Sequence, residues 1–259
     1  MQKQFEARLK VPAQLQQIAE TQHMGECVAV YPRKFETYPI PVAIFVTFLV
    51  GLATLALPLT ILSWSFYLLL LLLLFLTIYV PLFRARIIHR QDQIVLYAAG
   101  FITFLGRVAT AYRWETIESV LRGTAQSEGE GIGDIDEIVV KAGTKKCKLS
   151  KDMSQHARAD LCDRVERGYV SYHLPHVIAR YNGGEEIAFG STPADTLFFS
   201  QAGFRDAQEA LPWALVEKAE VGPALIVIRK EGRTSDWYHK LICNVPNAAL
   251  LKALLEYQR

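Results

Sequence analysis

Between Glu36 and Arg84 lie 47 consecutive residues without a charged side chain, and within them Leu68 to Leu74 is an unbroken run of seven leucines. At about −0.5 kcal/mol per Leu, the leucine run alone favours insertion into a bilayer by roughly 3–4 kcal/mol. One helix through the whole block would be about 70 Å long, against a hydrocarbon core about 30 Å thick. The block therefore predicts two spans joined by a tight turn, one near 41–57 and one near 61–80. Pro39 and Pro41 suit a helix start, Pro81 suits the far end, and Pro58, Thr60 and Ser63–Ser65 punctuate the turn. Phe35, Tyr38, Tyr79 and Phe83 would line one interface, and Trp64, Phe66 and Tyr67 the other. Gly51, Ala53 and Ala56 offer a small-residue face for packing on the second span.

The flanks set an expected orientation. Arg33 and Lys34 precede the block and Arg84, Arg86 and Arg90 follow it, while the turn is uncharged. The positive-inside rule then predicts a multi-pass protein of the cell membrane with both termini cytoplasmic. A secretory leader is a poorer reading, since the apolar run begins about 40 residues in and lacks a small-residue cleavage site. No Asp, Glu, Lys, Arg or His interrupts the block, which argues against an ion-coupled transporter.

Outside the block, composition narrows the classes. Apolar residues make up 51% and charged residues 21%, which excludes an intrinsically disordered chain. A net charge of +2 is too small to imply nucleic acid as a partner. Cys27, Cys147, Cys162 and Cys243 show neither disulfide-framework nor metal-site spacing, so reduced thiols are expected. His173 and His176 lack a ligating partner nearby, and Pro175 between them is expected to break any helix there.

The rest of the chain repeats itself. Leu96–Phe101 resembles Phe198–Phe204, Trp114–Val120 resembles Trp213–Val221, and Glu137–Gly143 resembles Leu225–Gly232. Gly25–Val30 resembles Gly184–Phe189, on the near side of the uncharged block. Each copy reads as several short strands closed by an amphipathic helix. In the first, Ala157, Leu161, Val165 and Tyr169 recur at i+4 after a cap signal at Ser150; in the second, Pro246 and Asn247 open a helix with Leu250, Leu251, Leu254 and Leu255. The shared order predicts a discontinuous first repeat, in which Cys27–Val30 pairs with Ile94–Tyr97 across more than 60 residues. Without that strand, Ile94–Tyr97 would expose an open sheet edge.

The strand run, the Trp114–Val120 segment, the turn at Ala142–Thr144 and the closing helix resemble a pleckstrin-homology-like (PH-like) domain. With Leu96, Tyr97, Gly100, Phe101, Arg113–Glu115, Ala179–Tyr181, Gly184, Leu211–Trp213 and Val245–Asn247, the order resembles an uncharacterised family of bacterial membrane proteins with a domain of unknown function. That resemblance implies an α+β membrane protein: a two-helix transmembrane hairpin and two PH-like units, each a small antiparallel sheet or partly open barrel closed by a helix. The expected boundaries are 1–38 for an N-terminal cytoplasmic segment that gives repeat one its first strand, 39–83 for the hairpin, 84–171 for repeat one and 172–259 for repeat two.

Sites are sparse. The densest charge cluster contains Lys145, Lys146, Lys148 and Lys151, where period-two geometry puts Lys146 and Lys148 on one face. It is the candidate contact for anionic lipid or an acidic partner. Glu128–Asp134 carries three glycines but no following Lys-Ser/Thr, and reads as a loop, not a phosphate cradle. No catalytic, metal or cofactor constellation is expected. The reading is a membrane-anchored interaction or scaffold module without catalytic activity; the alternative is a lipid-handling protein or enzyme using a cleft between the repeats.

Overall fold

Gln93–Tyr97 and Gly100–Leu105 are almost continuously apolar, without the alternation of a half-solvated strand. Such strands need cover on both faces. The computed structural model, which describes residues 11–33, 92–105, 108–124, 136–149 and 153–259, supplies it. All five residues of β2 (Gln93–Tyr97) are buried, as are the first five of β3 (Gly100–Leu105). They form the middle of an antiparallel sheet ordered β1-β2-β3-β4, with β1 at Cys27–Pro32 and β4 at Val108–Arg113. Ile94, Leu96 and Phe101 face the main core. On the other face, Val95, Tyr97, Ile102 and Phe104 pack with Leu15, Ala19 and Met24, in or just after helix α1 (Ala13–Thr21). Burying Leu15 completely contributes about 1.5–3 kcal/mol. Reading residues 1–38 as a source of one strand overlooks this helix.

The expected long-range pairing is present. Cys27 opposes Tyr97, Ala29 opposes Leu96, Val30 opposes Val95 and Tyr31 opposes Ile94, with an irregularity between Cys27 and Ala29. Tyr31 also donates its hydroxyl hydrogen to Asp160, tying β1 to the helix that closes the unit.

After a 3-10 turn at Trp114–Thr116 comes a second antiparallel sheet, β5 (Ser119–Thr124), β6 (Asp136–Ala142) and β7 (Lys145–Lys148). Helix α2 (Gln155–Asn182) follows. The same order then recurs. Strands β8 (Ile187–Phe189), β9 (Leu197–Ser200), β10 (Gly203–Arg205) and β11 (Ala210–Pro212) form a four-stranded sheet. A 3-10 turn at Trp213–Leu215 leads to β12 (Val216–Val221), β13 (Leu225–Lys230) and β14 (Asp236–Leu241), and helix α3 (Ala248–Gln258) ends the copy. Each copy thus has two sheets, of four and three strands, where one small sheet or barrel was expected. A single buried cluster runs through both copies, from Tyr31 to Leu255.

Helix α2 departs from expectation at both ends. Its cap is Ser154, whose hydroxyl oxygen accepts from the Ala157 N–H at 3.4 Å, while Ser150 lies outside the described residues. It also runs through Pro175 without ending. Proline there removes a donor and costs about 3 kcal/mol in a helix interior. Burial on both sides of it, at Leu161, Val165 and Tyr169 before and Val177 and Tyr181 after, offsets that cost. The expected boundary between 171 and 172 therefore falls inside one continuous helix. Ser154→Ala is expected to cost about 0.5–1 kcal/mol, at the lower end for a helix cap because the bond is long. An unchanged urea midpoint would show that burial alone holds the helix start.

The expected α+β membrane protein with a transmembrane hairpin is corrected by the fold. The described chain is mostly antiparallel sheet with three helices, and among the described residues no helix is long and apolar enough to cross a membrane. The longest, α2, has 28 residues, but Arg158, Asp160, Asp163, Arg164, Glu166 and Arg167 lie along it. A span needs about 20 predominantly apolar residues. The two integral spans, the multi-pass placement in the cell membrane and the cytoplasmic termini fall with that finding. Residues 39–83, to which both spans were assigned, lie outside the described residues.

Candidate functional site

The two copies meet where α2 packs on α3 and along one strand edge. In the first copy β5 is an edge strand, and the second copy lies against it. Asn247, just ahead of α3, donates its main-chain N–H to the Val120 carbonyl oxygen at 2.8 Å. Its side-chain oxygen accepts from the Val120 N–H, also at 2.8 Å. The two outward groups of Val120 are thereby satisfied, as a neighbouring strand would satisfy them. Asn247 sits at φ +61°, a left-handed conformation that Asn adopts more readily than most residues. The sequence reads Asn247 as part of a helix opening; the structure uses its side chain to join the copies instead of capping α3.

Beside this junction opens a cleft of about 1340 Å³. Its walls are β12 from Lys218 to Val221, the turn at Gly222–Ala224, the segment Leu241–Asn244 and one side of α3, with Arg122 and Glu166 from the first copy. Arg122 bonds Asp163 and Glu166 at 2.8 Å each. Lys218 pairs with Glu220 at 2.5 Å, and that hydrogen bond holds the Glu220 carboxyl below the usual carboxylate range. Arg259 donates from Nη2 to the Ala219 carbonyl oxygen at 3.0 Å. Lys252 and Glu256 project from α3 as exposed side chains of the wall.

The lysines singled out by sequence lie elsewhere. Lys146 and Lys148 do share the outward face of β7, with Cys147 buried between them. Lys148 is paired with Glu137 at 3.0 Å, Lys145 and Lys146 are exposed, and Lys151 lies outside the described residues. Strand β7 is the far edge of its sheet, with β6 between it and β5, so the strip and the cleft are separate surfaces.

The other candidates have structural roles. His173 Nε2 lies 2.9 Å from the Trp114 carbonyl oxygen. Burial raises the thiol pKa of Cys147, which keeps it protonated and weakly nucleophilic; partial desolvation raises that of Cys27 too, although the residue is exposed. All four cysteines are free. Among the described residues no group of three His, Cys, Asp or Glu side chains could hold a metal ion.

The sequence names a cleft between the repeats only as an alternative and singles out none of the residues that line it as a site. A signal was available: counting six residues on from each repeated tryptophan gives Val120 in one copy and Ala219 in the other, the two outward-facing edge positions. Residues 3–259 match the profile of a "Family of unknown function (DUF6585)". No curated protein and no solved structure matches the chain.

Proposed function

We propose that this chain, which belongs to the family of unknown function DUF6585, is an interaction module that holds a segment of another protein in the cleft beside the junction of its two repeats. The observation that carries this reading is the cleft at the junction. At about 1340 Å³ it exceeds the 300–1,000 Å³ of ordinary small-molecule pockets. Its lining combines strand backbone, apolar atoms of Val221, Ile242 and Leu255, and charged side chains of both signs. That mixture suits a polypeptide, which presents backbone and side chains together.

The competing reading is an enzyme or lipid-handling protein using the same cleft. It calls for converging polar groups whose titration is moved toward neutrality. At Glu220 the shift runs the other way, since Lys218 stabilises the ionised carboxylate. This favours a charged contact over proton exchange.

A photo-crosslinking amino acid placed at Lys252, in the cleft, and separately at Lys146, on the lysine strip, tests the reading in the cell that makes the protein. Discrete protein adducts are expected from position 252. Adducts from 146 alone would move the contact surface to the strip, and the absence of protein adducts at 252 would sink the cleft as an interaction site.

A further inference from the structure

Strand β12 is an edge strand, and its ladder to β13 shows which backbone groups face out. The Gly222 N–H donates to the Leu225 carbonyl oxygen at 2.8 Å, closing the hairpin. Hydrogen-bonded pairs alternate along an antiparallel ladder. Glu220 opposite Val227 and Lys218 opposite Arg229 are therefore the bonded pairs, while Ala219 and Val221 turn their N–H and C=O away from β13. The bond from Arg259 to the Ala219 oxygen agrees with this assignment.

Ala219 occupies the place in the second copy that Val120 occupies in the first. At Val120 both outward groups are filled by Asn247. At Ala219 the carbonyl is filled by a single guanidinium, and no partner for the N–H is found among the described residues. The molecule thus shows, within itself, the chemistry that completes this edge, and at its second occurrence leaves the edge half complete on the wall of a cleft. Glu217, Lys218 and Glu220 put charges along the strand, a common protection of an edge against indiscriminate pairing.

We infer that the cleft takes an extended peptide segment that adds to β12 as a further strand and displaces Arg259 from the Ala219 carbonyl. The incoming backbone gives its N–H to the Ala219 oxygen and accepts from the Ala219 N–H, and the next outward pair stands at Val221. This rests on the reading of the cleft as a protein-binding site and adds to it the conformation of the bound segment. Main-chain bonding supplies the affinity, and the exposed Lys252 and Glu256 lie where they can select among side chains.

The test is a displayed library of short linear peptides selected on the full chain, followed by N-methyl scanning of the selected peptides. Strand addition expects N-methylation to weaken binding about tenfold at every second residue and little between them. Arg259→Ala, which frees the carbonyl, is expected to tighten binding about 3- to 10-fold. Ala219→Pro removes an outward N–H without touching the β12–β13 ladder and is expected to weaken binding about tenfold. The N-methyl scan uses the unaltered protein, so it stands even if the proline variant misfolds.

Peptides that are lost on Lys252→Glu but show no alternation and ignore Arg259→Ala would overturn strand addition and leave the cleft reading standing. Peptides indifferent to Lys252→Glu and to Ala219→Pro would overturn both. Failure to select any peptide, or pairing of Arg259→Ala molecules with one another in place of peptide capture, would overturn the inferred occupant.

Discussion

Gly100→Ala and Gly203→Ala are each expected to destabilise the protein by about 3 kcal/mol or more, the upper range for overpacking. The two glycines open equivalent strands, β3 and β10. A Cβ on Gly100 would stand 2.1 Å from the Tyr112 carbonyl oxygen and 2.8 Å from the Arg113 Cα. On Gly203 it would stand 2.1 Å from the Leu211 oxygen and 2.8 Å from the Pro212 Cα. The obstacles are main chain, and the register fixes them: Gly100 opposes Arg113, and Gly203 opposes Pro212. No rotamer change relieves such a contact; the neighbouring strand has to move, and with it the tryptophan turn that follows. Gly143→Ala is the informative contrast. It meets nothing within 4 Å but sits at φ +57°, so only the left-handed penalty of about 1–2 kcal/mol applies. Urea unfolding of the three variants measures the difference. A loss below about 1 kcal/mol at Gly100 or Gly203 would show that the close approach of these strands is not required.

Trp114→Ala is expected to cost about 3–5 kcal/mol, and Trp213→Ala less. Trp114 is 4% exposed. Its indole N–H donates to the Ala98 carbonyl oxygen at 2.9 Å, and its main-chain N–H donates to the Ala99 oxygen at 3.0 Å. The ring lies so close to α2 that a Cβ on Gly168 would be 2.5 Å from Cζ2, so glycine at 168 is what admits it. Trp114 therefore joins the first sheet to the closing helix. Trp213 makes the matching bond, to the Ser200 oxygen at 3.0 Å, and packs on Phe199 and Phe204 with ring centroids 5.4 and 4.8 Å away. It is only half-buried, so truncation opens a smaller cavity. Trp114→Phe separates the two contributions at the buried site. It keeps part of the volume but removes the bond to the carbonyl of Ala98, a residue exposed to solvent, at a cost of about 0.5–1.5 kcal/mol. Equal losses for the two alanine variants would show that the tryptophans serve the core alike despite their different exposure.

Much of the strand layout is legible in the residues because strand period and turn chemistry are local. The segments around Ile94–Tyr97, Phe101–Leu105 and Ile138–Lys141 are strands, and Gly143 does make the expected turn, with φ +57°. The inward face of α2 at Leu161, Val165 and Tyr169 follows from the i+4 spacing. Comparing the two copies goes further than local pattern: only the likeness of Gly25–Val30 to Gly184–Phe189 places β1 beside β2. Pro175 shows the opposite. A local rule, that proline ends a helix, is overridden by burial on both sides of it.

The sequence by itself determined the repeated order of strands and closing helix, the pairing of β1 with β2, and the apolar face of α2, because each is written as periodicity or as likeness between two stretches. Tertiary structure alone decided the rest. Helix α1 exists because Leu15, Ala19 and Met24 find an uncovered sheet face, which short-range pattern does not announce. The transmembrane hairpin inferred from hydropathy has no counterpart among the described residues, where the longest helix carries charges along its length. The cleft depends on which backbone groups of Val120 and Ala219 turn outward and on what reaches them. Asn247 and Arg259 are respectively 127 and 40 residues away along the chain, and nothing in either neighbourhood marks them as partners. Hydrogen-bond satisfaction at a strand edge is settled by what the fold brings alongside it, and so it can be read only once the chain is folded.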